Sequence, residues 1–136
     1  MSSTLAKRLA LLPVLALLIA AAPLVDPAPL RAPPELTSKE IDDALRATLV
    51  RRGWILGKEE GGALDATLYV RSHSLTVPYE LREREIHMNY VDSENFDYRQ
   101  RRDGKRFIHR KYAQWMRNFT IALAQELQSA AFAKRR

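Results

Sequence analysis

The residues that could carry out chemistry in this chain are three histidines (His73, His87 and His109) and the acid–serine pair Asp92 and Ser93. No two histidines stand four residues apart. The chain contains no HExxH or G-x-S-x-G motif, no phosphate-binding glycine loop and no cysteine. Metal sites and serine nucleophiles normally show such spacings. We therefore predict no catalytic residue, no metal and no cofactor, with a small hydrolase or metal-dependent enzyme using the histidines and Asp92 as the alternative.

A run of basic residues between positions 99 and 117 is the least ordinary chemical feature. The whole chain carries 22 basic and 16 acidic residues, a formal net charge of +6. An excess of positive charge attracts anionic partners. The run therefore predicts contact with an anionic surface or an acidic protein partner, with a solvated helix face as the alternative. The residues of this predicted surface are Arg99, Arg101, Arg102, Lys105, Arg106, Arg110 and Arg117.

Two segments have helical spacing. Thr37 and Glu40 have the spacing of a capping box, apolar residues then recur every three or four positions, and Gly53 follows as a C-terminal cap. This predicts a helix from Ser38 to Arg52. A second helix is predicted over residues 106–131, with an apolar stripe formed by Ile108, Tyr112, Trp115, Phe119, Ala122 and Leu123.

Between the helices, apolar and polar residues alternate with the period of two that is typical of strands. The alternation predicts strands over 54–58, 64–70, 75–81 and 86–90, with Gly61 and Gly62 as a hairpin turn. Pro78 cannot donate to a strand ladder, so we expect the third strand to lie at an edge or to bulge there. Residues 92–106 are polar and read as a loop.

The element order α-β-β-β-β-α predicts an α+β domain of two layers. A mainly antiparallel four-stranded sheet would carry both helices on one face. The other face of the sheet would be polar and exposed to water, lined by Asp65, Thr67, Tyr69, Arg71, His87 and Asn89.

The N-terminus has the layout of a secretory signal peptide. Lys7 and Arg8 precede an uncharged apolar run that ends in three alanines. We predict a signal over residues 1–22, cleaved after Ala20 or Ala22, with an uncleaved inner-membrane anchor over residues 5–22 as the alternative. Five of the seven prolines fall in residues 23–36, which predicts an extended linker. The compact domain would then span residues 37–132.

The stretch from Ala66 to Phe119 resembles a family of small, uncharacterised secreted or lipid-anchored proteins of Gram-negative bacteria. The resemblance rests on the sequence pieces ATLYVRSH, VPY, NYVDSENFDY and IHRKYAQWMRNF. It implies export and a small α+β domain, and it implies no activity. Members of that family often carry a lipid-modified cysteine, which this sequence lacks.

These observations together predict an exported, periplasmic or secreted protein of the bacterial envelope. The absence of catalytic motifs favours a non-enzymatic binding or scaffolding module. The anionic partner would then be an envelope surface or an acidic protein. Export would separate the chain from nucleic acid, so no nucleic-acid partner is expected. Membrane contact would be peripheral or would pass through an uncleaved N-terminal anchor.

Overall fold

A computed structural model describes residues 21–136. The predicted signal lies outside the described residues except for its last two positions. Within residues 21–136 the chain forms two helices and nine strands. The helices are α1 (Ser38–Arg51) and α2 (Lys111–Arg135), and the strands are β1 (Ala21–Pro23), β2 (Leu30–Arg31), β3 (Ile55–Glu60), β4 (Ala63–Val70), β5 (His73–Arg82), β6 (Glu85–Met88), β7 (Asp92–Glu94), β8 (Arg99–Gln100) and β9 (Arg106–His109).

The strands form two antiparallel sheets. The larger has six strands in the order β2-β6-β5-β4-β3, with β7 also paired to β5. The smaller has three strands in the order β1-β9-β8. The α+β class and the antiparallel pairing are confirmed, but the predicted four strands are too few. Ten-residue β5 is long enough to pair with β7 along its first half and with β6 along its second.

One hydrophobic core joins both helices to one face of the large sheet. The capping box of α1 is present, because the Thr37 hydroxyl accepts from the Glu40 amide and the Glu40 carboxylate accepts from the Thr37 amide. Buried residues recur along both helices at the predicted spacing. They meet alternate residues of β4, β5 and β6, among them Leu64, Ala66, Leu75, Val77, Tyr79, Ile86 and Met88.

The predicted start of the second helix is wrong. Helix α2 begins at Lys111, and residues 106–109 form strand β9. Ile108 pairs with Ala22 of β1 and is fully buried there. Its spacing would fit a helix, but pairing with the distant N-terminal segment makes residues 106–109 a strand instead. The buried stripe of α2 contains Met116 in place of Trp115, which is only half-buried.

The proline-rich segment is part of the domain rather than a linker. Strand β1 pairs with β9, and β2 pairs with β6. Ala32 and Leu36 are 4% and 2% exposed and belong to the core. Proline favours extended backbone, which suits the edge of a sheet as well as it suits a free linker. The predicted boundary at residue 37 therefore does not separate a linker from the domain, because residues on both sides of it pack in the same core.

Pro78 lies in the middle of the large sheet rather than at its edge. It pairs with Asp65 of β4. On the other side of β5, the pairing with β7 ends at Thr76 and the pairing with β6 begins at Tyr79. Pro78 therefore occupies the gap between the two neighbouring strands, where a missing amide donor breaks no ladder.

Candidate functional site

The basic run forms a hairpin, which we call the basic hairpin: strands β8 and β9 with the turn of residues 101–105. A carboxylate oxygen of Asp103 accepts from the Lys105 amide at 3.0 Å, and Gly104 takes a positive φ of 86° that completes the turn. The turn places four exposed basic side chains beside one acid. These are Arg99, Arg101, Arg102 and Lys105.

One of these side chains covers an aromatic ring. The Arg101 guanidinium lies 5.8 Å from the centre of the half-buried Phe107 ring and 3.7 Å from the Asp103 carboxylate. Arg99, Arg102 and Lys105 form no ion pair with another residue of the part of the chain that the structure describes. The hairpin thus presents positive charge and some apolar surface together.

Of the other three predicted residues, one lies on β9 of the hairpin and two lie outside the hairpin. Arg106 is on β9, half-buried, with its guanidinium 3.7 Å from the Asp26 carboxylate. Arg110 precedes α2 and Arg117 lies on the second turn of α2, both exposed. The helix predicted over residues 106–131 would have included all three, but Arg106 belongs to strand β9 and Arg110 precedes α2.

Asp26 fixes the proline-rich segment to the domain, an arrangement we call the Asp26 clamp. One Asp26 oxygen accepts from the Tyr112 hydroxyl at 2.8 Å and from the Tyr90 amide at 2.7 Å. Burial and the hydrogen bond to Asp26 raise the pKa of Tyr112 well above its ordinary value. The Tyr90 ring stacks on Tyr98 with 4.7 Å between centres, and its hydroxyl lies 2.7 Å from the Ser93 oxygen. Asp26 is 64 residues from Tyr90 and 86 residues from Tyr112, so the spacing of these residues along the chain gives no sign that they meet.

The structure brings two of the three histidines together. The rings of His73, the first residue of β5, and His109, the last residue of β9, lie 5.8 Å apart, centre to centre. The buried Phe96 ring stacks between His109 and Trp115, with centres 5.2 Å and 4.6 Å away. His87 lies on a different strand, 3.7 Å from Glu85, and Asp92 accepts from the amide of the residue that follows it.

The hydrogen bonds of the two rings argue against shared metal binding. His73 Nδ1 donates to the carbonyl oxygen of Asn95, which leaves Nε2 free to accept. His109 Nδ1 already accepts from the Lys111 amide at 3.1 Å, so the proton of the neutral ring is on Nε2. A metal needs a free nitrogen lone pair from each ligand. Within residues 21–136 no three histidine, aspartate or glutamate side chains are placed to hold a metal ion.

Acidification is expected to destabilise the protein through His109. Burial lowers the pKa of His109 below its ordinary value of 6.5, and the nearby His73, Lys111 and Arg110 lower it further, while Asp97 opposes them. The folded protein therefore binds fewer protons at this ring than the unfolded chain does. The stability that the neutral ring contributes is fully present above pH 6.5 and is lost as the pH falls through the lowered pKa.

Urea unfolding at pH values between 7.5 and 5 checks this prediction. The free energy of unfolding should fall over that range in the wild type and should fall less in His109→Gln. An equal slope in wild type and His109→Gln would contradict the prediction.

Comparison with known proteins does not assign the chain to a family. No protein-family model, curated protein or solved structure matches it. Neither of the two helices described is long and apolar enough to cross a membrane.

Proposed function

We propose that the chain is an exported, non-enzymatic binding module that contacts an anionic lipid surface of the bacterial envelope through the basic hairpin. The observation that carries the proposal is the composition of the turn and its flanks, four exposed basic side chains against one acid. The predicted signal and the resemblance to secreted envelope proteins support export. The bonding of the histidines gives no support to the enzymatic alternative.

The position of the hairpin in the fold supports a membrane partner. Strand β1 pairs with β9 of the basic hairpin. In the alternative in which residues 5–22 remain as an uncleaved membrane anchor, the basic side chains would therefore share a small sheet with the end of that anchor. Tyr98 and Phe107 are partly exposed beside the charges, and aromatic rings favour the headgroup region of a bilayer.

The expected strength of this attraction is modest and sensitive to salt. A basic residue near an anionic bilayer contributes about 1 kcal/mol. Four such residues opposed by Asp103 would give on the order of 3 kcal/mol by that measure. Screening acts over a Debye length of about 8 Å at physiological ionic strength, so binding should weaken as salt is added.

Vesicle co-sedimentation tests the proposal, using a chain that begins at Ala21 so that the apolar run does not bind lipid by itself. We expect binding to vesicles containing phosphatidylglycerol, little binding to phosphatidylcholine vesicles, and release at high salt. The triple variant Arg101→Gln, Arg102→Gln, Lys105→Gln should bind at least tenfold more weakly, because it removes most of the attraction described above.

The matched control removes the same charge elsewhere. Lys39→Gln, Lys58→Gln and Arg82→Gln change exposed side chains of α1, β3 and β5. This control should retain most of the binding. Equal losses of vesicle binding in the two triple variants would show that the net charge of the protein, rather than the basic hairpin, determines binding. Equal binding to both kinds of vesicle would reject a lipid surface and leave an acidic protein as the partner to test.

A further inference from the structure

A groove between the end of α1 and the first turns of α2 has the features of a ligand site, and we call it the arginine groove. Its volume is about 510 Å³, within the range of small-molecule sites. The residues that line it are Arg51, Arg52, Gly53, Leu68, Val70, Trp115, Asn118 and Phe119.

The floor of the groove is apolar. Leu68 and Val70 project from the helix-facing side of β4, and Trp115 and Phe119 project from successive turns of α2. Leu68, Val70 and Trp115 are only half-buried, so the helices do not cover them fully. Partly exposed aliphatic and indole surface of this kind favours an apolar ligand group.

The rim of the groove carries a cation that the fold does not use. Arg51 forms an ion pair with Glu126 of α2 at 3.0 Å, which ties the two helices together. The Arg52 backbone amide closes α1 by donating to the Thr48 carbonyl at 2.9 Å. Its exposed guanidinium pairs with no acid within residues 21–136 and also borders the two smaller hollows beside the groove.

A structural role for Arg52 does not explain this arrangement. A cation near the end of a helix offsets the helix dipole, and Arg51 already supplies one in the last turn of α1. The side chain of Asn118, which forms no hydrogen bond to the rest of the described chain, adds amide donors at the same rim. Guanidinium and amide donors above an apolar floor match a carboxylate joined to an aliphatic chain.

We infer that the arginine groove binds a single-chain amphiphile with a carboxylate head, the carboxylate at Arg52 and Asn118 and the chain over Trp115. The inference is independent of the membrane contact proposed above, because the groove shares no residue with the basic hairpin. Glu126 pairs with Arg51 at 3.0 Å and neutralises that residue, which leaves Arg52 as the anion-binding group.

Isothermal titration with decanoate, kept below its micelle concentration, tests the inference. We expect saturable binding at one site, with Arg52→Gln raising the Kd at least tenfold and Arg52→Glu abolishing detectable binding. Arg71→Glu makes the same charge change at an exposed arginine outside the groove, in the turn between β4 and β5, and should stay within twofold of wild type. Thermal melts of each variant establish that the fold is intact.

Two further probes distinguish the contribution of the carboxylate head of decanoate from that of its alkyl chain. Decyltrimethylammonium has the same chain with a cationic head, and acetate has the head without the chain, so neither should bind measurably. Decanoate should also change the fluorescence of Trp115, and the change should disappear in Trp115→Phe while Trp54 remains. Equal binding of the cationic amphiphile, or equal effects of Arg52→Glu and Arg71→Glu, would overturn the inference. The basic-hairpin triple variant should bind decanoate normally, so this site and the proposed function can fail separately.

Discussion

Replacing Phe119 with alanine is expected to lower the free energy of unfolding by about 3–5 kcal/mol, a loss comparable to the whole stability of a small domain. The Phe119 side chain is 2% exposed. Its ring meets Trp54 at 5.7 Å and Tyr79 at 5.3 Å, centre to centre, where α2 rests on the sheet. Truncation would leave a cavity at the junction of helix and sheet. Urea unfolding followed by circular dichroism gives the loss directly, and Phe119→Leu gives a smaller one if the alanine variant does not fold.

Two neighbouring substitutions serve as controls. Trp115→Ala should cost less than Phe119→Ala, because Trp115 is half-buried and packs chiefly on Phe96. Tyr79→Phe should be neutral or slightly stabilising, because the buried Tyr79 hydroxyl has no hydrogen-bond partner within the described residues. A larger loss for Trp115→Ala than for Phe119→Ala would show that the core is centred elsewhere.

The second large effect is expected at the Asp26 clamp. Asp26→Ala should lower the free energy of unfolding by about 2–4 kcal/mol, because it leaves the Tyr112 hydroxyl and the Tyr90 amide without their acceptor. The proline-rich segment should also become sensitive to limited proteolysis. Chemical unfolding measures the first effect, and mass spectrometry of the digest measures the second.

A double-mutant cycle isolates the hydrogen bond within the clamp. Tyr112→Phe removes the hydroxyl and should make a subsequent Asp26→Ala change less costly, since the two residues act together. Asp43→Ala removes an exposed acid from α1 and should change stability by no more than about 0.5 kcal/mol. Additive losses at Asp26 and Tyr112 would mean that the clamp does not couple the two residues.

Features that depend on neighbours in sequence were predictable. The capping box at Thr37 and Glu40 gives the start of α1, and the alternation over residues 64–70 gives β4. Both signals reside within a few residues, so no knowledge of distant partners is needed. The basic composition of the hairpin was likewise evident, and its binding role stays a prediction.

Features that depend on distant partners were not predictable. Strands β1, β2, β8 and β9 have two to four residues each, too few to show a period, and they exist through pairing with remote segments. Ile108 fits a helical stripe by spacing, yet its strand partner is Ala22. The arginine groove combines the end of one helix with the start of another, and their spacing along the chain gives no sign that they meet.

The pairing of β1 with β9 also determines when the fold can form relative to synthesis of the chain. Ala21 is synthesised early, but its partner His109 follows only after most of the chain has been made, on the order of 5–20 s later at typical translation rates. Until then the first strand and Asp26 have nothing to dock against. The nascent chain must therefore keep its N-terminal segment open, and contacts of such long sequence separation make closure a late, slow step of folding. If the chain is exported as proposed, it would remain unfolded enough to be threaded through a membrane channel for most of its synthesis.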